Sequence, residues 1–168
     1  MATITLKGIE IHTSGELIPV GESIPDFTLT GNDLAEVSLS DFVGKKLILN
    51  IFPSVGTGIC AASVRQFNKA AAGLKNTVVL CISRDLPFAM AGFCGAEGIN
   101  NVITLSDFRT GRFGKDYNLE IVDGKFAGLL SRVVIVTDKD KKVIYHEQVP
   151  EIAQEPDYDS ALRALSKS

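Results

Sequence analysis

Cys60 stands at the head of a stretch that reads as a helix, directly after a loop that leaves an apolar strand. The run is Leu49-Asn50-Ile51-Phe52-Pro53, then Ser54-Val55-Gly56-Thr57-Gly58-Ile59-Cys60. The first turn of a helix offers backbone N–H groups with no intrahelical partner and the positive end of the helix dipole. Both favour a thiolate over a thiol, and the thiolate is the nucleophilic form of cysteine. Thr57 lies three residues before Cys60, the spacing of an N-cap, which puts Cys60 at the N3 place that an acidic residue fills in a capping box. From spacing alone, a reactive Cys60 and an inert one tucked inward are equally open.

The other two cysteines differ in setting. Cys81 lies inside Val78-Val79-Leu80-Cys81-Ile82 and reads as a small hydrophobe packed in a core strand. Cys94 ends a short helix-like stretch, with Gly95 and Gly98 following in what reads as an accessible loop. Alone it is a half-buried loop cysteine; beside a reactive Cys60 it becomes a candidate resolving thiol. The two are 34 positions apart, so a disulfide needs a fold or a rearrangement that brings their Cα atoms within about 7 Å. Arg132 opens the strand Val133-Val134-Ile135-Val136. On its own it reads as a strand-end arginine on a solvated rim. If that strand end lies beside the Cys60 loop, its guanidinium is a cation that keeps its proton and a dependable partner for a thiolate.

Other sulfur and metal chemistries have less support. There is no Cys-x-x-Cys pair, and the histidines, His12 and His146, are far from each other and from the cysteines. A structural zinc site therefore has no local ligand pairs. A Cys-His nucleophile pair stays open, since the fold decides it. Activation by a helix terminus and a nearby cation is the simpler supposition.

The elements that must position these residues follow from composition and pattern. Hydrophobic residues make up 45% of the chain, charged residues 22%, and the net charge is −3 with lysine and arginine scattered. That is a soluble globular composition for one domain, residues 1–168, with no phosphate-tracking surface for nucleic acid and no run long enough to span a bilayer. The N-terminus has no basic start followed by an apolar block, so a cytoplasmic protein is expected. Thr3–Lys7 and Glu10–His12 read as a hairpin turning at Gly8, and Ser23–Leu29 leads into an extended piece. Leu47–Phe52 reads as a central strand, apolar on both faces except at Asn50. A helix from Cys60 to about Leu74, a strand at Thr77–Ser83, a helix at Leu86–Cys94, a strand at Val102–Leu105 and a helix at Phe108–Tyr117 follow. Strands at Arg132–Thr137 and Lys142–Val149 form an antiparallel hairpin, and Asp157–Ser166 closes the chain as a helix. This alternation indicates an α/β fold with a central mixed β-sheet flanked by helices. A thioredoxin-like sheet fits the order, as do other α/β sheets.

Several segments together resemble the atypical two-cysteine peroxiredoxins of bacterial thiol peroxidase type. They are Asp41-Phe42-Val43-Gly44-Lys45, Asn50-Ile51-Phe52-Pro53, Thr57-Gly58-Ile59-Cys60-Ala61-Ala62-Ser63-Val64-Arg65 and Phe93-Cys94-Gly95-Ala96-Glu97-Gly98. The similarity continues through Asn100–Ser106 and into Glu155-Pro156-Asp157-Tyr158, so it covers nearly the whole chain. The resemblance implies a thioredoxin-like fold with an N-terminal β-hairpin, in a homodimer. It implies that Cys60 is the peroxidatic cysteine and Cys94 the resolving one, joined as a redox disulfide that thioredoxin reduces. Thr57 matches the active-site threonine, Pro53 the proline shielding the pocket, and Arg132 the arginine beside the thiolate. It implies reduction of hydrogen peroxide and organic hydroperoxides with no metal or organic cofactor. One position departs from the pattern: where the family commonly reads Pro-Ser-x-Asp-Thr, this chain has Gly56. That removes a negative charge near Cys60 and is expected to loosen the loop.

Two functions compete with the peroxidase. A thiol-disulfide oxidoreductase would use the same fold, but such catalysts usually keep both sulfurs on one loop. A redox-sensing binding module would use the same cysteine pair to alter a partner surface. Turnover separates the sensor from the enzyme. The bland reading is a structural α/β domain with three buried thiols.

Overall fold

β5 (Lys46–Ile51) is the axis around which the chain is arranged. The computed structural model describes all 168 residues, Met1–Ser168. Leu47, Ile48, Leu49, Asn50 and Ile51 are all fully buried, as the doubly apolar pattern requires of a strand covered on both faces. Parallel β6 (Thr77–Ser83) lies on one side and antiparallel β8 (Val133–Thr137) on the other. β7 (Ile103–Ser106) pairs parallel with β6, and β9 (Val143–Gln148) pairs antiparallel with β8. β3 (Thr28–Gly31) and β4 (Glu36–Ser38) complete a seven-stranded sheet in the order β4-β3-β7-β6-β5-β8-β9. The mixed sheet and the terminal hairpin are as the alternation indicates. The β3–β4 hairpin, which turns at Leu34 with φ 69°, is additional. Its strands are too short and polar to signal themselves.

One face of the sheet carries α1 (Gly58–Ala71), α2 (Pro87–Glu97) and α4 (Tyr158–Ser166). Val64 and Phe67 of α1, Met90 of α2 and Leu165 of α4 pack there on Ile48, Val79, Cys81, Val134 and Val136. The other face is closed by Phe27, Phe42, Phe113 and Tyr117 over Leu47, Leu49, Leu80, Ile82 and Ile135. No helix is long and apolar enough to cross a membrane.

Two helix boundaries differ from the pattern, both at glycines. α2 runs three residues past Cys94, and Gly98 ends it in the left-handed conformation with φ 66°. Cys94 therefore lies inside a helix rather than at the edge of a loop. The helix expected at Phe108–Tyr117 shortens to α3 (Arg112–Asp116), because Gly111 before it takes φ 70°.

The N-terminal hairpin, β1 (Thr3–Leu6) and β2 (Ile9–His12), turns on Lys7 and Gly8, both at positive φ. It forms its own two-stranded sheet and is tied to the body at two carboxylates. Glu151 accepts from the Gly8 N–H at 2.9 Å, the Ala153 N–H at 2.8 Å and the Thr5 hydroxyl at 3.1 Å. Its carboxyl pKa is lowered to about 2, first by those backbone donors. Asp123 accepts from the His12 N–H at 2.8 Å and meets His12 Nδ1 at 2.7 Å. Asp123, and then Glu10, raise the His12 pKa above its ordinary 6.5, while His12 lowers that of Asp123 below 3.8. The imidazolium contact is fully present below pH 6.5 and is lost as pH rises through the raised folded value; the carboxylate side is lost only as pH falls below 3.8. Hydrogen-exchange protection of the hairpin amides, corrected for intrinsic rates, should fall as pH rises through the raised His12 value, and His12→Gln should flatten that dependence. An unchanged profile in His12→Gln would count against the tie.

Candidate active site

Sheet register alone gathers the site. Ile51 pairs with Ile82 of parallel β6 and with Val133 of antiparallel β8. The residues after β5, those after β6 and those before β8 therefore meet at one edge, beyond the C-terminal ends of the parallel strands. This is where α/β sheets place ligand sites. It brings together Pro53–Cys60, Ser83–Asp85 and Arg132.

Cys60 is the third residue of α1 and is fully buried. Its turn is held from below. Ser63 Oγ donates to the Cys60 carbonyl at 2.7 Å, and Asn50 Nδ2 donates to Ser63 Oγ at 3.2 Å. The one polar residue of β5 thus supports the turn that carries the sulfur. Thr57 occupies the N-cap with extended backbone, φ −98° and ψ 146°, but its hydroxyl makes no cap bond. It donates instead to the Ser54 carbonyl at 3.1 Å, which also receives the Thr57 N–H at 3.2 Å. Pro53 is buried at the start of the loop.

Arg132 is not on a solvated rim. It is 2% exposed, and its Nη2 donates to Cys60 Sγ at 3.3 Å. Its Nε donates to the Ile152 carbonyl at 2.8 Å. Nη1 is buried with no hydrogen-bond partner. The Ile152 carbonyl is itself positioned by the N-terminal hairpin: the Ile152 N–H donates to the Thr5 carbonyl at 2.8 Å, and the Thr5 N–H donates to the Pro150 carbonyl at 2.8 Å. The hairpin therefore helps to aim the guanidinium.

Gly56 does not leave the loop loose. Its N–H donates to Ser54 Oγ at 3.0 Å, and Ser54 Oγ donates to Asp85 at 2.6 Å. A Cβ at position 56 would meet only Ser54 Oγ, at 3.3 Å. Asp85 was not singled out by the sequence. Its signal was its place just past the end of a strand expected to run parallel to the one leading into Pro53.

Both histidines are engaged elsewhere: His12 with Asp123, and His146 Nδ1 with the Ile18 carbonyl at 2.8 Å. A Cys-His nucleophile pair is therefore not formed. No group of three His, Cys, Asp or Glu side chains is placed to hold a metal ion. All three cysteines are free. Cys94 is half-buried, with its sulfur 3.9 Å from Thr104 Oγ1, and Thr104 is the β7 partner of Cys81. Burial pushes the Cys94 thiol up, and the Thr104 hydroxyl partly offsets this. Burial pushes the Cys81 thiol to about 12, which suits an inert core role. The structure thus pairs Cys60 with Arg132 and leaves Cys94 in α2, unbonded to Cys60.

The Redoxin family matches residues 19–162. The chain belongs to that family. A thiol peroxidase of Corynebacterium glutamicum is 55% identical over 99% of this chain and 100% of its own length. A thiol peroxidase of Mycobacterium tuberculosis is also 55% identical, over 98% of this chain and 99% of its own. Among solved structures, a peroxiredoxin-like protein from Aquifex aeolicus superposes with a TM-score of 0.93 at 34% identity, covering 98% of this chain and 96% of that one. These relatives make this Redoxin chain a peroxiredoxin-type enzyme, a thiol-dependent peroxidase.

Within this Redoxin site, Arg132 must hold Ile152 and the sulfur at once, which needs the planar fork of a guanidinium. Arg132→Lys should therefore lower the second-order rate constant for Cys60 oxidation by peroxide by about 10²-fold, the usual cost of one fixed donor. Stopped-flow measurement on reduced protein checks this; a rate within threefold of wild type would show that the bidentate geometry is unimportant.

Proposed function

We propose that the chain reduces hydrogen peroxide and organic hydroperoxides at Cys60, with Cys94 as the resolving thiol and thioredoxin as the reductant. The observation that carries this reading is the buried Arg132–Cys60 contact at 3.3 Å with a second guanidinium N–H unpartnered beside it. One donor favours negative sulfur; the other is free to bind a peroxide oxygen.

The Cys60 thiolate attacks the terminal peroxide oxygen along the O–O bond. The S–O bond forms as O–O breaks, the leaving oxygen takes a proton, and water or an alcohol departs. Cys60 becomes a sulfenic acid. The charge that moves to the leaving oxygen meets donors fixed beforehand, the first-turn amides of α1 and Arg132, while the Thr57 hydroxyl, whose proton goes to the Ser54 carbonyl, offers its oxygen as an acceptor to the peroxide O–H. Pro53 limits water entry. Cys94 then attacks the sulfenic sulfur, hydroxide leaves as water, and a Cys60–Cys94 disulfide forms. A dithiol of thioredoxin type reduces it by exchange. Three unpaired thiols suit the reducing cytoplasm, and a homodimer is the assembly this reading carries.

The second step requires α2 to open, because Cys94 sits within it. Opening also relieves the burial that pushes the Cys94 thiol up. Gly92 and Gly95 lie inside α2, and a Cβ on either would meet no atom within 4 Å, so packing does not demand glycine there. Each costs the helix about 1 kcal/mol relative to alanine. Against this, Arg65 of α1 pairs with Glu97 and lies over the Phe93 ring at 5.8 Å, latching the end of α2 shut.

The decisive experiment is a coupled assay with thioredoxin, thioredoxin reductase and NADPH. Wild type should turn over many equivalents of peroxide, Cys60→Ser none, and Cys94→Ser about one; activity surviving in Cys60→Ser would end the proposal. For the opening step, Gly95→Ala should slow disulfide formation about fivefold, matching the helix stabilisation, while sulfenic acid formation keeps its rate. Resolution as fast as in wild type would place the barrier outside α2.

A further inference from the structure

Asp85 lies two residues past the end of β6 and two residues before Pro87, the first residue of α2. Its carboxylate accepts three hydrogen bonds: from Ser54 Oγ at 2.6 Å, from the Val55 N–H at 2.9 Å and from Ser83 Oγ at 2.6 Å. Two of these donors belong to the stretch between Pro53 and Thr57. Bonds to an ionised acceptor are about twice as strong as neutral ones. Ser54 relays the hold, since its Oγ accepts the Gly56 N–H at 3.0 Å and its carbonyl receives both the hydroxyl and the N–H of Thr57. A single carboxylate therefore fixes the backbone from Ser54 to Thr57, a segment with glycine at 56 and, just beyond it, at 58.

The carboxylate is itself mounted rigidly. The Asp85 N–H donates to Ser83 Oγ at 3.2 Å, and its carbonyl receives Ser106 Oγ of β7. The preceding residue, Arg84, is tied to Asp107 at 3.1 Å, the Gly111 carbonyl at 2.9 Å and Glu120 at 2.8 Å. Loops between strands are ordinarily the mobile parts of a fold. Here the end of β6 acts as a buttress for one of them.

We propose that Asp85 is a positioning residue for peroxide reduction, setting through Ser54 and Val55 the loop that places Pro53 and Thr57 over Cys60. This rests on the peroxidase reading. It assigns Asp85 no contact with substrate and no proton transfer. Arg132 and the first turn of α1, which favour the thiolate, are held by Ile152, Ser63 and Asn50 instead. The thiolate and the peroxide cradle thus have separate supports, and that separation gives the proposal its test.

Asp85→Asn keeps the side-chain size but brings an N–H₂ toward donors that need acceptors. In reduced protein it should lower the second-order rate constant for peroxide at least tenfold, in line with the cost of a small misplacement of catalytic groups. Alkylation of Cys60 by iodoacetamide, which needs the thiolate but no cradle, should stay the same or rise. Ser54→Ala removes one arm of the hold from a half-exposed position, so it reports even if Asp85→Asn unfolds; it should lose peroxide rate several-fold with alkylation intact. The double variant should be no slower than Asp85→Asn alone. A peroxide rate within twofold of wild type in both single variants, or peroxide and alkylation rates falling by the same factor, would overturn the assignment. Wild type inert to peroxide would instead overturn the peroxidase reading itself.

Discussion

A guanidinium that is 2% exposed needs a counter-charge, and in this fold the Cys60 sulfur stands 3.3 Å from it. An uncompensated buried cation costs several kcal/mol. Arginine holds its proton under all working conditions, so the guanidinium is a fixed cationic donor to the sulfur. The rest of the site can be traced from this pair. Antiparallel β8 delivers Arg132 to the edge where parallel β5 delivers the Cys60 loop. The Ile152 carbonyl fixes the guanidinium plane, and the N-terminal hairpin fixes that carbonyl. The hairpin, remote from the sulfur in sequence, is thereby joined to it through three successive hydrogen bonds.

A site organised to hold one sulfur rigidly conflicts with the proposed mechanism, in which a second sulfur must be brought to it. The fold meets this conflict by separating stiff and yielding parts. α1, which carries Cys60, is anchored by Asn50 and Ser63 beneath its first turn. α2, which carries Cys94, contains two glycines that packing does not require, and its C-terminal end is held by the Arg65 contacts with Phe93 and Glu97. Such a helix end belongs to the low-stability part of a fold, where local opening is easiest. Cys81 has no part in the proposed exchange: it lies in a central strand, and burial pushes its thiol up to about 12.

The sequence showed much of this, for physical reasons that also set the limit. β5 was legible because a strand buried on both faces must be apolar throughout, and Asn50 stood out against that pattern. The Cys60 helix start was legible from the loop before it and the apolar face after it. Arg132 was nameable, but its burial was not, since that depends on which strands become neighbours. The pattern puts Cys94 at a loop edge because Gly95 reads as a stop; the helix ends at Gly98, in the left-handed conformation. Asp85 escaped notice because an acidic residue after a strand is ordinary. Only the register of β5 on β6 makes it the neighbour of Ser54 and Val55.

The central claim is that, of the three thiols, the one under Arg132 reacts with peroxide and is resolved from α2. It is tested most directly by peptide mass mapping of fully reduced protein after one equivalent of hydrogen peroxide, quenched by acid. The account predicts that the Cys60 and Cys94 peptides leave the free-thiol pool together as one disulfide-linked species while Cys81 stays free. A bridge containing Cys81, or a Cys60 peptide still free after the peroxide is consumed, would contradict it.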